Sequence, residues 1–231
     1  MSTPANSPGD PFADPRATWD ARFARADYIF GTAPNAFLAQ QGHRLAPGQR
    51  ALCVADGEGR NSVWLAQQGL IVTAFDISPK GVEKARALAA QAGVQVNYHA
   101  AGIEDWDWQP AAFDVVVAIF VQFATPPQRA RLFADMLATL KPGGLLLLQG
   151  YTPRQLEYRT GGPPRADHLY TPELLRAAFS AATERDYTPV LLSDAFAGHE
   201  MLVLHEHDSV LAEGTQHAGM SALIDCVVRK R

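Results

Sequence analysis

A glycine-rich turn and one acidic residue form the part of this sequence whose spacing could carry chemistry. Gly57 and Gly59 lie between an apolar run and a helical stretch. Glycines at such a place let the backbone turn tightly and let a ligand approach main-chain N–H groups near a helix N-terminus. Asp76 ends the next apolar run, 17 residues after Gly59. A carboxylate at a strand end can accept both hydroxyls of a ribose, so the two features predict a site for a nucleoside-containing cofactor.

The elements that would position these residues alternate between strand-like and helical patterns. The predicted strands lie at 51–55, 70–75, 94–98, 113–120, 145–149, 200–207 and 221–230. Helical patterns follow the first, second and fourth strands, and two similar segments at 170–179 and 187–196 predict further helices. The pattern predicts an α/β fold with a doubly wound, mostly parallel sheet, helices on both faces and a site at the carboxyl ends of the strands. The last two strands form an antiparallel pair.

Four segments, in their order and spacing, resemble class I S-adenosylmethionine-dependent methyltransferases. They are Gly57–Ser62, Phe75–Ser78, Phe113–Val116 and Leu140–Gly144. The resemblance covers roughly residues 50–149 and implies a Rossmann-like seven-stranded sheet of order 3-2-1-4-5-7-6 whose seventh strand is antiparallel.

The amino-terminal part is similar to a small-molecule branch of the same family that includes tellurite-resistance and thiopurine methyltransferases. The similar residues are Trp19-Asp20 and the segment 28–35, together with Gly59-Arg60-Asn61. This resemblance implies methyl transfer to a small-molecule nucleophile, such as a thiol or a chalcogen oxyanion, by in-line displacement.

The resemblance also implies S-adenosyl-L-methionine as cofactor and S-adenosyl-L-homocysteine as product. The cofactor-binding residues that it implies are Ala55, Asp56, Gly57, Gly59, Arg60, Asn61, Asp76, Ile77, Ile103, Glu104, Ile119 and Phe120. Two positions depart from the family pattern, which has an acid where Cys53 stands and a glycine where Ala55 stands. Asp56 or Glu58 would then have to replace the acid that contacts the methionine amino group of the cofactor. Near the adenine, Glu104 or Asp105 would have to replace the acid expected at Gly102.

Methyl transfer from a sulfonium requires positioning and exclusion of water, and it requires a base only if the nucleophile arrives protonated. The candidates for contact with the methyl acceptor are Tyr28, Gln122, Arg159, His168 and His217. Tyr28 lies in an amino-terminal flap and Gln122 follows the fourth strand. Arg159 and His168 lie in a long connecting segment, and His217 lies in the predicted loop of the final hairpin.

The chain is expected to form one methyltransferase domain over residues 16–231, preceded by a flexible tail at 1–15. Within the domain we expect a helical flap at about 16–42 and a substrate lid at about 151–169, because the latter is too long for a routine connector.

Composition limits the other classes of function. The formal net charge is −4, which does not favour a nucleic-acid partner. The longest strongly apolar run, Val115–Val121, is too short to span a membrane, and we expect no secretion signal. Cys53 and Cys226 lie in strand-like runs, which predicts a reduced, cytoplasmic protein. Neither the two cysteines nor the histidines show a metal-binding spacing, so no metal site is predicted. The sequence leaves the methyl acceptor and the oligomeric state open.

Two alternative functions remain at this point. An NAD-type oxidoreductase shares the glycine-rich turn, but Ser62 occupies the third glycine position of the dinucleotide pattern that starts at Gly57. A cofactor-binding regulator or an inactive scaffold is the other alternative, because Cys53 and Ala55 depart from the family pattern.

Overall fold

A computed structural model describes residues 14–180 and 199–231, and one seven-stranded sheet organises them. The strands are β1 Arg50–Val54, β2 Ile71–Asp76, β3 Val96–Ala100, β4 Phe113–Ile119, β5 Leu140–Tyr151, β6 Glu200–Glu213 and β7 His217–Arg229. Most of the predicted tail and the helix predicted at 187–196 lie outside the described residues.

The order of the strands confirms the predicted topology. The sheet runs β3-β2-β1-β4-β5-β7-β6, with β1 to β5 parallel and β7 antiparallel to both of its neighbours. The chain therefore reverses its direction of strand addition between β1 and β4. In an open parallel sheet this is where a crevice forms at the carboxyl ends of the strands.

Helices cover both faces of the sheet. They are α1 Pro15–Phe23, α2 Ala36–Gln40, α3 Arg60–Gln67, α4 Pro79–Gln91, α5 Pro126–Thr139, α6 Gln155–Tyr158 and α7 Pro172–Ser180. The helices α2, α3 and α4 pack on one face, while α5 and α7 pack on the other. β4 lies between these layers, and its residues 115–118 are buried on both faces, as their continuously apolar sequence predicts.

Local sequence signals start the two longest helices. The Ser78 hydroxyl accepts the Gly81 N–H at 3.1 Å, and Pro79 follows as the first residue of α4. At α5, Thr125 and Gln128 form a capping box. The caps fix where each helix leaves the sheet, and so they fix the loops that surround the crevice.

The final hairpin is longer than the sequence patterns predict. β6 extends to Glu213 and β7 begins at His217, so only residues 214–216 remain in the turn. The turn is held by the amino-terminal segment, because the N–H groups of Thr215 and Gln216 both donate to the Ile29 carbonyl. The prediction that His217 lies in a loop is therefore wrong, since His217 is the first residue of a strand. Residues 208–220 are mostly exposed or partly exposed and contain a run of polar residues and glycine at 213–217, so the segment resembles a loop in sequence.

Among the residues that the structure describes, no helix is both long enough and apolar enough to cross a membrane.

The topology predicts that Cys53 and Cys226 stay reduced and unreactive. Both thiols are free and buried, and burial raises their pKa. They lie on β1 and β7, which β4 and β5 separate, so their Cα atoms are about 14 Å apart. A disulfide tolerates about 7 Å. We expect a thiol reagent to label neither cysteine in the native protein and both after denaturation. A disulfide between them in native protein would contradict the strand order.

Candidate functional site

A cleft of about 540 Å³ opens at the carboxyl ends of β1 to β4. Its lining includes eleven of the twelve predicted cofactor residues, namely Ala55, Asp56, Gly57, Arg60, Asn61, Asp76, Ile77, Ile103, Glu104, Ile119 and Phe120. The parallel strands bring these residues together because their carboxyl ends meet at one edge of the sheet. The size is that of a small-molecule site.

Gly59 is the predicted cofactor residue that does not line the cleft. Its φ is +91°, and an added Cβ would lie 2.7 Å from the Ala85 Cβ and 2.9 Å from the Tyr98 hydroxyl. The glycine therefore lets the first turn of α3 pack closely against α4 and β3. Its role in the structure is to place the neighbouring residues of the turn.

Asp76 is the carboxylate at the end of β2. Its Oδ2 accepts the Gly57 N–H at 2.8 Å, and its Oδ1 accepts the Ser78 N–H at 2.9 Å. These bonds tie the glycine-rich turn to the start of α4. The side chain is 6% exposed, and burial raises the pKa of Asp76 to about 6. The carboxylate is thus oriented by two backbone donors while each oxygen keeps further capacity to accept.

Asp56 lines the cleft, whereas Cys53, which stands at the acid position of the family pattern, does not. Cys53 is buried, and Glu58 is ion-paired with Lys84, so neither lines the cleft. One oxygen of Asp56 accepts the Ser62 hydroxyl, whereas Oδ1 is buried without a hydrogen-bond partner among the described residues. Burial raises the pKa of Asp56 to about 7. Of the two acids considered for this place, Asp56 is the one that faces the ligand space.

Two residues of the cleft hold a left-handed backbone. Ala55, directly after β1, has φ +50°, and Phe120, directly after β4, has φ +57°. Such a conformation costs a residue with a Cβ about 1 to 2 kcal/mol. A glycine at position 55, which the family pattern has, would remove this cost.

The cleft lining also contains both of the acids that are predicted to lie near the adenine. Glu104 and Asp105 line the cleft beside Gly102, and the Gln128 side chain donates to Glu104 Oε1 at 3.0 Å. Both acids are exposed, unlike Asp56 and Asp76.

The opposite side of the cleft combines an imidazole with aromatic rings. The centroid of the His217 ring lies 4.5 Å from the Phe30 ring and 4.5 Å from the Phe120 ring. His217 Nδ1 is 3.5 Å from Glu213 Oε2, which is longer than an ordinary hydrogen bond. Glu213 Oε2 also accepts Arg60 Nη2 at 2.8 Å. The cluster places one acid between two basic groups.

The charges of this cluster follow from its burial and contacts. Burial alone would raise the pKa of Glu213, but His217 and Arg60 outweigh it and lower the value to about 2. Burial lowers the pKa of His217, although Glu213 acts in the opposite direction. At neutral pH, Glu213 is therefore ionised and His217 is neutral. Arg60 Nη1 is buried and has no hydrogen-bond partner among the described residues.

The other candidates for acceptor contact occupy different places. His168 lines the cleft, as His217 does, but Tyr28, Gln122 and Arg159 do not. Tyr28 donates to the Lys84 carbonyl, and Arg159 is exposed. Gln122 is buried and hydrogen-bonds the backbone of Tyr151 and of His168, so it holds together the two ends of the predicted lid.

Sequence reasoning missed Glu213 and did not include Phe23 or Phe30 among the site residues. Trp19, Phe23 and Phe30 from the predicted flap line the cleft. Glu213 is 153 positions from Arg60 along the chain. No local sequence pattern indicates this pair. Glu213 ends β6 and Arg60 begins α3, and only the tertiary structure brings the two residues together.

Comparison with known proteins identifies the domain. Residues 51–144 match the family of methyltransferase domains. A ubiquinone biosynthesis O-methyltransferase of Xylella fastidiosa is 38% identical over 102 residues, which cover 44% of this chain and 41% of that protein. The match thus spans less than half the length of this curated relative.

Solved structures share the fold across nearly the whole chain. The 1,6-didemethyltoxoflavin-N1-methyltransferase of Burkholderia thailandensis has a TM-score of 0.63 at 19% identity, covering 100% of this chain and 93% of that one. TehB from Haemophilus influenzae has a TM-score of 0.62 at 12% identity, covering 94% and 67%. Residues 51–144 are a methyltransferase domain. The predicted family and fold are therefore confirmed, and the cofactor of the domain is S-adenosylmethionine.

The polar groups of the methyltransferase cleft fit this cofactor. Its methionine part carries an ammonium and a carboxylate, and the cleft residues Asp56 and Arg60 hold one buried acceptor and one buried donor without partners. Asp76 supplies the carboxylate that a ribose requires. The cleft thus offers one buried partner for each charged group of the methionine part and a carboxylate for the ribose.

We expect Asp76→Ala to weaken S-adenosylmethionine binding by roughly 2 to 4 kcal/mol, or about 30-fold to 1000-fold, because charge-assisted bonds to the ribose are lost. Isothermal titration measures the change. The matched control is Asp107→Ala, which removes an exposed carboxylate that accepts the Gln109 side-chain amide and does not line the cleft. Affinity within twofold of wild type in a folded Asp76→Ala protein would show that Asp76 does not bind the ribose.

We also expect cofactor affinity to rise between pH 5 and pH 7. Asp76 has a raised pKa of about 6 and accepts hydroxyl protons best when it is ionised. At pH 5 only about a tenth of the Asp76 side chains are ionised, which predicts about tenfold weaker binding than above pH 7. The same raised pKa lowers the stability of the ligand-free fold as the pH rises from the ordinary value of 3.8 to about 6, because the folded protein holds the Asp76 proton more tightly than the unfolded chain does. The assignment of Asp76 to the ribose would be contradicted if the affinity for S-adenosylmethionine did not change with pH. It would also be contradicted if Asp76→Asn kept the pH dependence of the wild-type protein.

Proposed function

We propose that the protein transfers the methyl group of S-adenosylmethionine to a small molecule whose nucleophilic atom is the oxygen of a hydroxyl or the sulfur of a thiol. The observation that carries the proposal is that one cleft joins the cofactor residues to a neutral imidazole placed between two aromatic rings. The cleft of about 540 Å³ has to hold both cofactor and acceptor, which limits the acceptor to a small molecule.

In this proposal the cofactor lies along the carboxyl ends of β1 to β4. Asp76 binds the ribose hydroxyls, and Glu104 or Asp105 lies near the adenine. Asp56 Oδ1 accepts a hydrogen bond from the ammonium of the cofactor, and Arg60 Nη1 donates one to the carboxylate of the cofactor. The unpartnered state of these two buried atoms supports the placement, since buried polar groups are normally satisfied.

The acceptor would then bind between the cofactor and His217. Phe30 and Phe120 contact the imidazole on two sides and favour a flat or apolar acceptor. The oxygen or sulfur of the acceptor attacks the methyl carbon while the carbon–sulfonium bond breaks, which leaves a neutral thioether as S-adenosylhomocysteine. The proton of the acceptor passes to His217, and ionised Glu213 stabilises the imidazolium that results.

Two observations favour a protonated nucleophile. Burial keeps His217 neutral at pH 7, so it can accept a proton. The curated relative is named as an O-methyltransferase, which is consistent with transfer to oxygen.

A chalcogen oxyanion would need no base, and Arg165 and His168, which also line the cleft, would be the residues that bind its negative charge. A panel of phenols, thiols, amines and oxyanions, scored by release of S-adenosylhomocysteine, separates these acceptor classes. Cofactor binding without turnover of any acceptor would instead favour the regulator or scaffold.

We expect the transfer rate with a hydroxyl or thiol acceptor to increase with pH and to reach half its maximum below pH 6.5. The reason is that burial lowers the pKa of His217 from its ordinary value of 6.5, and only the neutral ring accepts the proton. His217→Gln should lose this acidic limb and slow transfer by about 10²-fold to 10⁴-fold.

The control for this measurement is His43→Ala, which removes an exposed histidine that does not line the cleft. It should leave both the rate and the pH profile unchanged. A His217→Gln enzyme that keeps the acidic limb and the wild-type rate would exclude His217 as the base.

A further inference from the structure

Two histidines and an aspartate meet on the final hairpin, outside the cleft. His205 and His207 are two positions apart on β6, so their side chains share one face of the strand. Asp225 on β7 lies directly opposite His205 in the antiparallel register, which places its side chain on the same face. One nitrogen or oxygen atom from each of the three residues lies within 4.8 Å of the other two.

The two imidazoles are arranged side by side next to the carboxylate. Their ring centroids are 4.9 Å apart with an angle of 11° between the planes. Nε2 of His207 lies 3.0 Å from Oδ2 of Asp225. A hydrogen-bonded pair would need only one histidine, whereas here a second imidazole adds a further nitrogen to the same small volume.

The carboxylate is held in place from behind. Asp225 is 8% exposed, and its Oδ1 accepts the Gln149 side-chain amide at 2.6 Å. Gln149 is itself fixed, since its Oε1 accepts the Asn35 amide at 2.7 Å. Oδ2 is left directed at the histidines. Such outer hydrogen bonds, which orient a ligating carboxylate, are a usual part of metal sites.

We propose that His205, His207 and Asp225 bind a divalent first-row transition-metal ion, with Zn²⁺ as the reference ion. Two imidazole nitrogens and one carboxylate oxygen are a donor set that suits this class of ion. Around tetrahedral Zn²⁺ the ligand atoms lie about 3.4 Å apart. His207 and Asp225 are already closer than this, and the exposed His205 can rotate inward. The exposure also leaves room for water as a further ligand.

The site is separate from the methyltransferase cleft, because none of its three residues lines that cleft. The absence of a metal spacing in the sequence does not bear on it. Metal-binding spacings in a sequence are helical or short-loop spacings, whereas this set combines a His-x-His pair on one strand with an acid 18 residues later on the next strand.

The experiment is a titration of the full chain, free of affinity tags and pretreated with a chelator, with ZnCl₂ in the absence of S-adenosylmethionine and acceptor. We expect one strong site per chain. His205→Ala and His207→Ala should each weaken Zn²⁺ binding by about 10-fold to 100-fold, while His43→Ala leaves it unchanged. Co²⁺ in place of Zn²⁺ adds a visible absorption band that reports the coordination.

The result that overturns the proposal is an absence of Zn²⁺ binding, or binding that keeps wild-type affinity in both His205→Ala and His207→Ala. The two substituted side chains lie on the partly exposed face of the hairpin, and circular dichroism confirms that each variant is folded. Because no cofactor or acceptor is present, the outcome does not depend on whether the proposed methyl transfer is correct.

Discussion

The buried amide of Asn35 is the interaction on which the arrangement of the site depends. Its side chain donates to Gln149 on β5 and to Glu213 at the end of β6, and it accepts an N–H from the first turn of α2. Glu213 in turn holds Arg60 at the start of α3, and Gln149 holds Asp225 on β7. A buried polar group left without its partner costs about 1 to 3 kcal/mol. The flap, the sheet and the final hairpin are therefore fixed relative to one another by one connected set of bonds.

The cleft contains buried acids and residues with a left-handed backbone. Two carboxyl groups, Asp56 and Asp76, are buried with raised pKa values, and two residues with a Cβ, Ala55 and Phe120, hold left-handed backbones. These features are costly in an isolated fold, and such costs concentrate at functional sites. In the proposed placement the cofactor ammonium lies beside Asp56 and the ribose hydroxyls donate to Asp76, so cofactor binding would offset part of this cost.

The sequence was informative where the site is made from neighbours in the chain. Gly57 and Asp76 could be assigned because a strand, a tight turn and a helix lie within a few residues of each, and their order sets where they meet. The sequence was misleading where an exposed pair of strands resembles a loop. The pattern predicts a loop at His217, but His217 is the first residue of β7. It also gave no sign of Glu213, whose partners lie far away in the chain.

The sequence by itself determined the class of fold and the position of the crevice, through its alternating strand and helix patterns, its helix caps and its glycines. The family resemblance added the strand order. These properties follow from local preferences and from the rules of parallel sheets. Only the tertiary structure decided that Asp56 rather than Glu58 faces the ligand, because Lys84 on α4 pairs with Glu58. Only the register of β6 against β7 decided that His205, His207 and Asp225 share one face, because contacts between strands depend on pairing that no short stretch of sequence encodes.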